Sequence, residues 1–181
     1  MPGFVRFVVR PVVWGVDAIN WLVGWVLAAL LLVMTVLITW QVFARYVMGS
    51  SLSFSEEVAR FCLVWLTMLG AAYAYRRGSL IAVELLQGMG GPAFRRALRI
   101  AIALASALFA WVLLSEGLNI TGRVVNQTAP STRVSMAWPY AAMPAGALLV
   151  LLNAAAIAIE AIWPPEDRPE PEATPLTEGR A

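Results

Sequence analysis

The fold is decided by the stretch AINWLVGWVLAALLLVMTVLITWQVFA, residues 18–44, which contains no charged residue. Because the hydrocarbon core of a bilayer needs about 20 apolar helical residues, this stretch is long enough to cross a membrane as one helix. Further uncharged stretches lie between Arg60 and Arg76, between Arg99 and Glu116, and between Arg133 and Glu160. The shorter ones can still cross, since an arginine at a helix end extends to the membrane surface. The sequence therefore predicts an all-α integral membrane protein with four transmembrane helices.

The composition excludes several classes of function. Hydrophobic residues make up 60% of the 181 residues, which leaves little material for a soluble catalytic domain of about 100 residues. The chain has no His, so bis-His haem ligation, His-based metal sites and His general-base catalysis are impossible from this chain alone. The single cysteine, Cys62, lies in an apolar stretch and is predicted to be a buried structural thiol. No phosphate loop, nucleophile–base set or metal spacing occurs, so we predict no catalytic, cofactor or metal site and no enzyme activity.

The predicted organisation has three parts. Residues 1–17 form a cytoplasmic segment that we interpret as a short interfacial helix, in which Pro11 is a potential break. A cleaved signal peptide is the competing interpretation, but the uncharged run is too long for its apolar region. Residues 18–163 form the membrane domain, and residues 164–181, rich in Pro and Glu, are predicted to be a disordered cytoplasmic tail. The four spans are predicted at about 19–46, 56–75, 96–121 and 138–163.

The distribution of arginine predicts the orientation of the chain. All 13 basic residues are Arg, and nine of them lie in the N-terminal segment, the second connection and the tail. Cytoplasmic connections carry the excess of basic residues, so both termini and the second connection are predicted to be cytoplasmic. These arginines lie at membrane edges rather than on one soluble face, and we therefore expect no nucleic-acid partner. No internal repeat is present, so an inverted-repeat transporter core is not supported.

The beginning of the second span carries an acidic cluster. Ser53 and Glu56 have the spacing of a capping box, and Glu57 adds negative charge to the same turn. Glu56 also lies four residues before Arg60, the favourable order for an ion pair within a helix. The cluster therefore either begins the helix at the outer membrane surface or forms a docking surface for a periplasmic or membrane partner.

A second candidate feature is a face of small residues, Gly70, Ala74 and Gly78, at a spacing of four. Small residues let helices approach closely in lipid, where packing rather than hydrophobicity drives association. This face is predicted to pack either within the chain or against another subunit.

Two carboxylates, Glu116 and Glu160, lie closest to membrane depth. An acid within the membrane is a functional candidate, and Glu116 would be the proton-carrying group of a self-sufficient small exporter. Both residues lie near helix ends, which favours the membrane surface as their location. A membrane anchor of a redox enzyme is a further alternative, against which the lack of His argues.

Two ordered series of short motifs carry a resemblance to a known family. The first series comprises RY at 45–46, SEEVAR at 55–60, VW at 64–65, LGAA at 69–72 and RRG at 76–78. The second, before the last span, comprises QTAP at 127–130, WPY at 138–140 and MPAG at 143–146. In this order the motifs resemble the small membrane subunit (Q, or DctQ-like) of the tripartite ATP-independent periplasmic (TRAP) transporters.

One departure from the family pattern follows the RRG motif. Members commonly have a His there, followed by an acidic residue, whereas this chain has Leu80 in the position of the His. Any role of that His is therefore not carried over, although Glu84 fills the acidic position.

The resemblance implies a function and a set of partners. Family members of this kind work in the bacterial inner membrane with a large multi-span permease, which holds the substrate and sodium sites, and with a periplasmic binding protein that delivers an organic acid. The small subunit would be a non-catalytic scaffold without a cofactor of its own, in contact with phospholipids. The residues expected at the periplasmic rim are Arg45, Tyr46, Glu56, Glu57 and Arg60. The residues expected at cytoplasmic lipid headgroups are Arg76, Arg77, Arg95, Arg96 and Arg99.

Overall fold

The computed structural model describes residues 3–49, 53–87 and 91–163, and describes side chains over 10–49, 53–78, 91 and 93–163. The tail predicted to be disordered, 164–181, lies outside the described residues. Within the described residues, four helices are long and apolar enough to cross a membrane, which confirms the predicted all-α membrane fold. The elements are α1 Gly3–Val47, α2 Ser53–Gln87, α3 Pro92–Arg123, the short α4 Ala137–Tyr140, and α5 Ala142–Ile162.

The segment before the first span is helical but is not a separate element. Helix α1 runs from Gly3 to Val47 without interruption and contains Pro11 in its interior. A proline removes one helical hydrogen bond and strains the preceding turn. The apolar residues on both sides continue the helix past that point, so the potential break at Pro11 is not realised.

Helices α2 and α5 form the centre of the bundle, with α1 packed against α2 and α3 packed against α5. The buried core residues Leu69, Ala72 and Leu149 lie between them. The central pair is very close: a Cβ atom on Gly146 would lie 2.8 Å from the carbonyl oxygen of Met68. In lipid, such close contact between backbones supplies the packing energy that hydrophobic burial supplies in water.

Proline residues shape the last span. Pro139 and Pro144 lack the N–H groups that a continuous helix would use, and α4 is separated from α5 at Ala141. Pro144 also packs onto α3, where its Cδ atom lies 3.0 Å from the Cβ position of Gly117. The break at Ala141 therefore lies where the last span meets α3.

The connection from α3 to α4 is held by its own backbone hydrogen bonds. The N–H of Ala129 donates to the carbonyl oxygen of Val134 at 2.9 Å, and Met136 donates to Gln127 at 2.8 Å. Arg133 occupies the left-handed region of backbone space, with φ 55°. We call residues 124–136 the outer loop.

Helix contacts define the two ends of the bundle. The beginning of α1, the later part of α2, the beginning of α3 and the end of α5 meet at one end, which we call the arginine-rich end. The beginning of α2 meets the outer loop at the opposite end, which we call the loop end.

Candidate functional site

An ion-pair network lies at the arginine-rich end and joins three helices. The Nη2 atom of Arg76 on α2 donates to Oδ1 of Asp17 on α1 at 2.9 Å and to Oε1 of Glu160 on α5 at 2.7 Å. Its Nε atom donates to the same Asp17 oxygen at 3.0 Å. The Arg76 side chain is only 10% exposed, compared with 54% for Asp17 and 20% for Glu160. One guanidinium therefore holds carboxylates from both neighbouring helices.

A buried pair of amides lies deeper on the same helices. Nδ2 of Asn20 on α1 donates to Oδ1 of Asn153 on α5 at 2.6 Å, and Nδ2 of Asn153 returns a bond to Oδ1 of Asn20 at 3.2 Å. Asn153 is fully buried and also donates to the carbonyl oxygen of Ala72 on α2 at 2.8 Å. The amide pair therefore links the same three helices as the ion pairs.

These five residues, Asp17, Asn20, Arg76, Asn153 and Glu160, are named the polar cluster here. Buried polar groups are expensive in an apolar medium unless they are hydrogen-bonded, and each member has a bonded partner within the cluster. The arrangement binds helices to one another and presents no nucleophile beside a base. Its chemistry is that of a structural connection.

Among the five arginines expected at lipid headgroups, Arg76 differs from the others. Its guanidinium binds Asp17 and Glu160 inside the chain, and its contact with lipid headgroups stays a prediction. Arg96 donates to the carbonyl oxygen of Ile162 at 2.7 Å, at the end of α5. Arg77 is exposed and lies over the ring of Tyr73, 4.8 Å from its centroid. The remaining two, Arg95 and Arg99, are half-buried near the beginning of α3.

The residues expected at the rim lie at the loop end, but they separate into different contacts. Oε2 of Glu57 accepts hydrogen bonds from the backbone N–H groups of Ser131, at 3.1 Å, and Thr132, at 2.7 Å. Glu56 faces Arg60 at 3.4 Å in an exposed pair within α2. Glu57 therefore fixes the outer loop to α2.

The other two rim candidates, Arg45 and Tyr46, are exposed near the end of α1. No carboxylate of a described residue lies within 4.0 Å of Arg45, and the two glutamates of α2 are engaged elsewhere. Their predicted contact with a partner subunit stays a prediction.

A cleft of about 630 Å³ lies between the beginning of α2 and the outer loop. Its lining combines charged and apolar side chains. The charged ones are Glu56, Glu57 and Arg60, and the apolar ones include Phe61, Val64, Met68, Met136 and Met143.

Replacing Glu57 by alanine is expected to loosen the outer loop. The variant loses two hydrogen bonds from backbone N–H groups to a carboxylate, and bonds of this charged kind contribute about 1.5–3 kcal/mol when well protected. Because this site is partly exposed, we expect hydrogen exchange at Ser131 and Thr132 to accelerate by about tenfold, measured by mass spectrometry or NMR.

The matched control for that experiment is Glu56→Ala. Glu56 lies one residue earlier in the same turn, but it contacts Arg60 rather than the outer loop. Exchange at Ser131 and Thr132 should stay at the wild-type rate. Equal acceleration in both variants would contradict the assignment of Glu57 as the residue that holds the loop.

Comparison with known proteins decides the family. Residues 34–162 match the family described as tripartite ATP-independent periplasmic transporters, DctQ component. The chain belongs to the DctQ family. A Haemophilus influenzae protein named as a TRAP transporter small permease protein is similar, with 28% identity over 123 residues, which cover 67% of this chain and 76% of the relative. The matched region contains α2, α3, the outer loop and the whole last span.

In this DctQ-family chain, the face formed by Gly70, Ala74 and Gly78 is mostly open. A Cβ atom on Gly70 would meet only Leu27, at 3.9 Å, and one on Gly78 would meet nothing within 4 Å. Ala74 is exposed. Close packing within the chain instead uses Ala72, Gly117 and Gly146. Contact of this face with another subunit stays a prediction.

The two carboxylates that sequence analysis placed nearest to membrane depth have different environments. Glu160 belongs to the polar cluster, whereas Glu116 is exposed on α3, next to the Gly117 contact with α5.

Sequence reasoning missed Asp17, Asn20 and Asn153. A signal was present, since an amide within an uncharged span is costly in lipid and needs a partner.

Proposed function

We propose that this TRAP small permease subunit is a non-catalytic membrane scaffold for a large permease that translocates substrate and sodium. The observation that carries the proposal is the polar cluster. Its buried amides and its arginine are occupied in binding α1, α2 and α5 together, rather than lining a path for a solute. A small subunit whose helices are held together in this way is better suited to support a moving partner than to move during transport.

The exposed surface of the bundle supports the same proposal. Helix α1 packs mainly on α2, and its remaining sides carry large exposed apolar side chains. Such a surface needs lipid or another membrane subunit around it. Its exposed aromatic residues are Trp14, Trp21, Trp25, Trp40, Phe43 and Tyr46.

The proposed orientation has both termini in the cytoplasm of a bacterium, with the chain in the inner membrane. The arginine-rich end would face the cytoplasm, because cytoplasmic ends carry the excess of Arg. Arg77 and Arg95 would then lie near anionic headgroups, where a basic side chain gains about 1 kcal/mol. The loop end would face the periplasm and the binding protein.

Reconstitution tests the proposal. We expect proteoliposomes that contain the large permease and this chain to import an organic acid when supplied with the binding protein and a sodium gradient. Omission of this chain should abolish import, and this chain alone should import nothing. The acids to be tried include dicarboxylates, keto acids and sugar acids.

The Glu116→Gln variant tests the alternative that this chain is a self-sufficient exporter. Glu116→Gln is expected to leave import unchanged, since Glu116 is exposed on α3 and is not a member of the polar cluster. Transport by this chain alone, lost in Glu116→Gln, would overturn the scaffold proposal and favour proton coupling. Purification of the chain without a large permease from native membranes would overturn it as well.

A further inference from the structure

Arg76 pairs with two carboxylates of the described residues at the arginine-rich end. Arg76 contributes one positive charge between Asp17 and Glu160, which come from different helices and accept hydrogen bonds from the same Nη2 atom. The two carboxylates therefore face each other across one guanidinium. Without that group, the half-buried carboxylate of Glu160 and the more exposed carboxylate of Asp17 would repel each other, which would act between α1 and α5.

The small contact between α1 and α5 is where this connection matters most. The contact of α1 with the bundle is chiefly with α2, and its contact with α5 is small. Two polar connections bridge α1 to α5, one through the amides of Asn20 and Asn153 and one through Arg76. In lipid, helices associate through packing and polar contacts, so these bonds act together with the packing of α1 on α2 to set its position relative to α5.

We propose that Arg76 is the positioning residue that fixes α1 relative to α5, and that it does so by neutralising the repulsion between Asp17 and Glu160. The arginine acts through helix position and makes no contact with transported substrate. Part of this inference rests on the proposed function: a scaffold with α1 displaced would present the wrong surface to the large permease.

The first test measures the position of α1 directly in the full chain. Spin labels at Trp14→Cys on α1 and Ile162→Cys on α5, both exposed positions, report the distance between the two helices. The background carries Cys62→Ala, because Cys62 is the single native cysteine. Distances are measured by double electron–electron resonance in lipid nanodiscs.

Arg76→Gln is expected to lengthen and broaden the distance distribution, because the uncompensated carboxylates push α1 away. The matched control is Arg77→Gln, which removes the adjacent arginine of the same helix, whose contact is with the ring of Tyr73. Its distribution should coincide with that of the parent. An unchanged distribution in Arg76→Gln would overturn the inference.

A triple variant separates electrostatics from packing. Asp17→Asn and Glu160→Gln change charge with little change of shape, so adding both to Arg76→Gln removes the repulsion, and the distance should return toward the parent value. If the triple variant is as broad as Arg76→Gln, then Arg76 acts through its shape and the inference fails. The charge exchange Asp17→Arg with Arg76→Asp should also narrow the distribution relative to Arg76→Gln.

The functional effect of Arg76 is measured as the assembly of this chain with the large permease. Removing the arginine of this partly buried network leaves two carboxylates without their cation, and we expect Arg76→Gln to recover about tenfold less large permease in a mild-detergent pull-down. The triple variant should recover most of it. Failure of the wild-type chain to support import would overturn the proposed function alone, whereas the distance measurement on the isolated full chain tests Arg76 by itself.

Discussion

Gly146→Ala is expected to lower the free energy of unfolding by about 1–3 kcal/mol, the usual cost of adding atoms to a well-packed contact. The added Cβ atom would lie 2.8 Å from the carbonyl oxygen and 3.0 Å from the carbonyl carbon of Met68. Both atoms belong to the backbone of α2, so no side-chain rotation relieves the clash. The two central helices must move apart, and contacts along their whole interface weaken.

Gly78→Ala is the matched control, because nothing lies within 4 Å of its Cβ position. Alanine favours a helix over glycine by roughly 0.5–1 kcal/mol, so this variant should be as stable as the parent or slightly more stable. Stability is measured by denaturant unfolding of the full chain in mild detergent. Equal stability of the two variants would mean that α2 and α5 are farther apart than the structure places them.

Asn153→Leu is expected to lower the free energy of unfolding by a similar amount, about 1–3 kcal/mol. Hydrogen bonds between membrane helices average only about 0.6 kcal/mol. Asn153, however, is fully buried and takes part in three side-chain hydrogen bonds, two with Asn20 and one with Ala72. Leucine keeps the branching of asparagine at Cγ but is larger, so the loss comes from polar groups left without partners and from overpacking of the buried site.

The double variant Asn20→Leu with Asn153→Leu isolates the pair. Because both unpaired amides are then removed, its destabilisation should be smaller than the sum of the two single effects. Asn119→Leu, at an exposed position on α3, should change stability by less than about 0.5 kcal/mol. Simple additivity of the Asn20 and Asn153 effects would show that the two amides are not coupled.

The spans were predictable because a bilayer imposes a length on uncharged sequence. The uncharged runs predicted the number of membrane spans. Pro92 lies in the first turn of α3, a position where the missing N–H of proline is tolerated. Helix limits were harder to predict. Helix α2 continues to Gln87, beyond the predicted span end at 75, since the charge of Arg76 ends an apolar run but does not end a helix.

The contacts between helices were not predictable from the sequence. The pairing of Glu56 with Arg60 follows from spacing within one helix and is observed as an exposed contact at 3.4 Å. The contact of Glu57 with the outer loop joins residues 74 and 75 positions apart, and depends on how α3 and the last span return to α2. Asp17 and Asn20 carry no local sign of their partners either, because these lie on other helices.

Because the ribosome makes the chain from its N-terminus, the polar cluster can form only late in synthesis. Asn20 is synthesised 133 positions before Asn153, and Asp17 is synthesised 59 positions before Arg76. At 5–20 residues per second, the amide of Asn20 waits roughly 7–27 s for its partner. Throughout that interval the Asn20 amide lacks its partner on α5, and only synthesis of the last helix allows the connection to form. Maturation of this subunit is therefore tied to the end of translation, whichever helix enters the bilayer first.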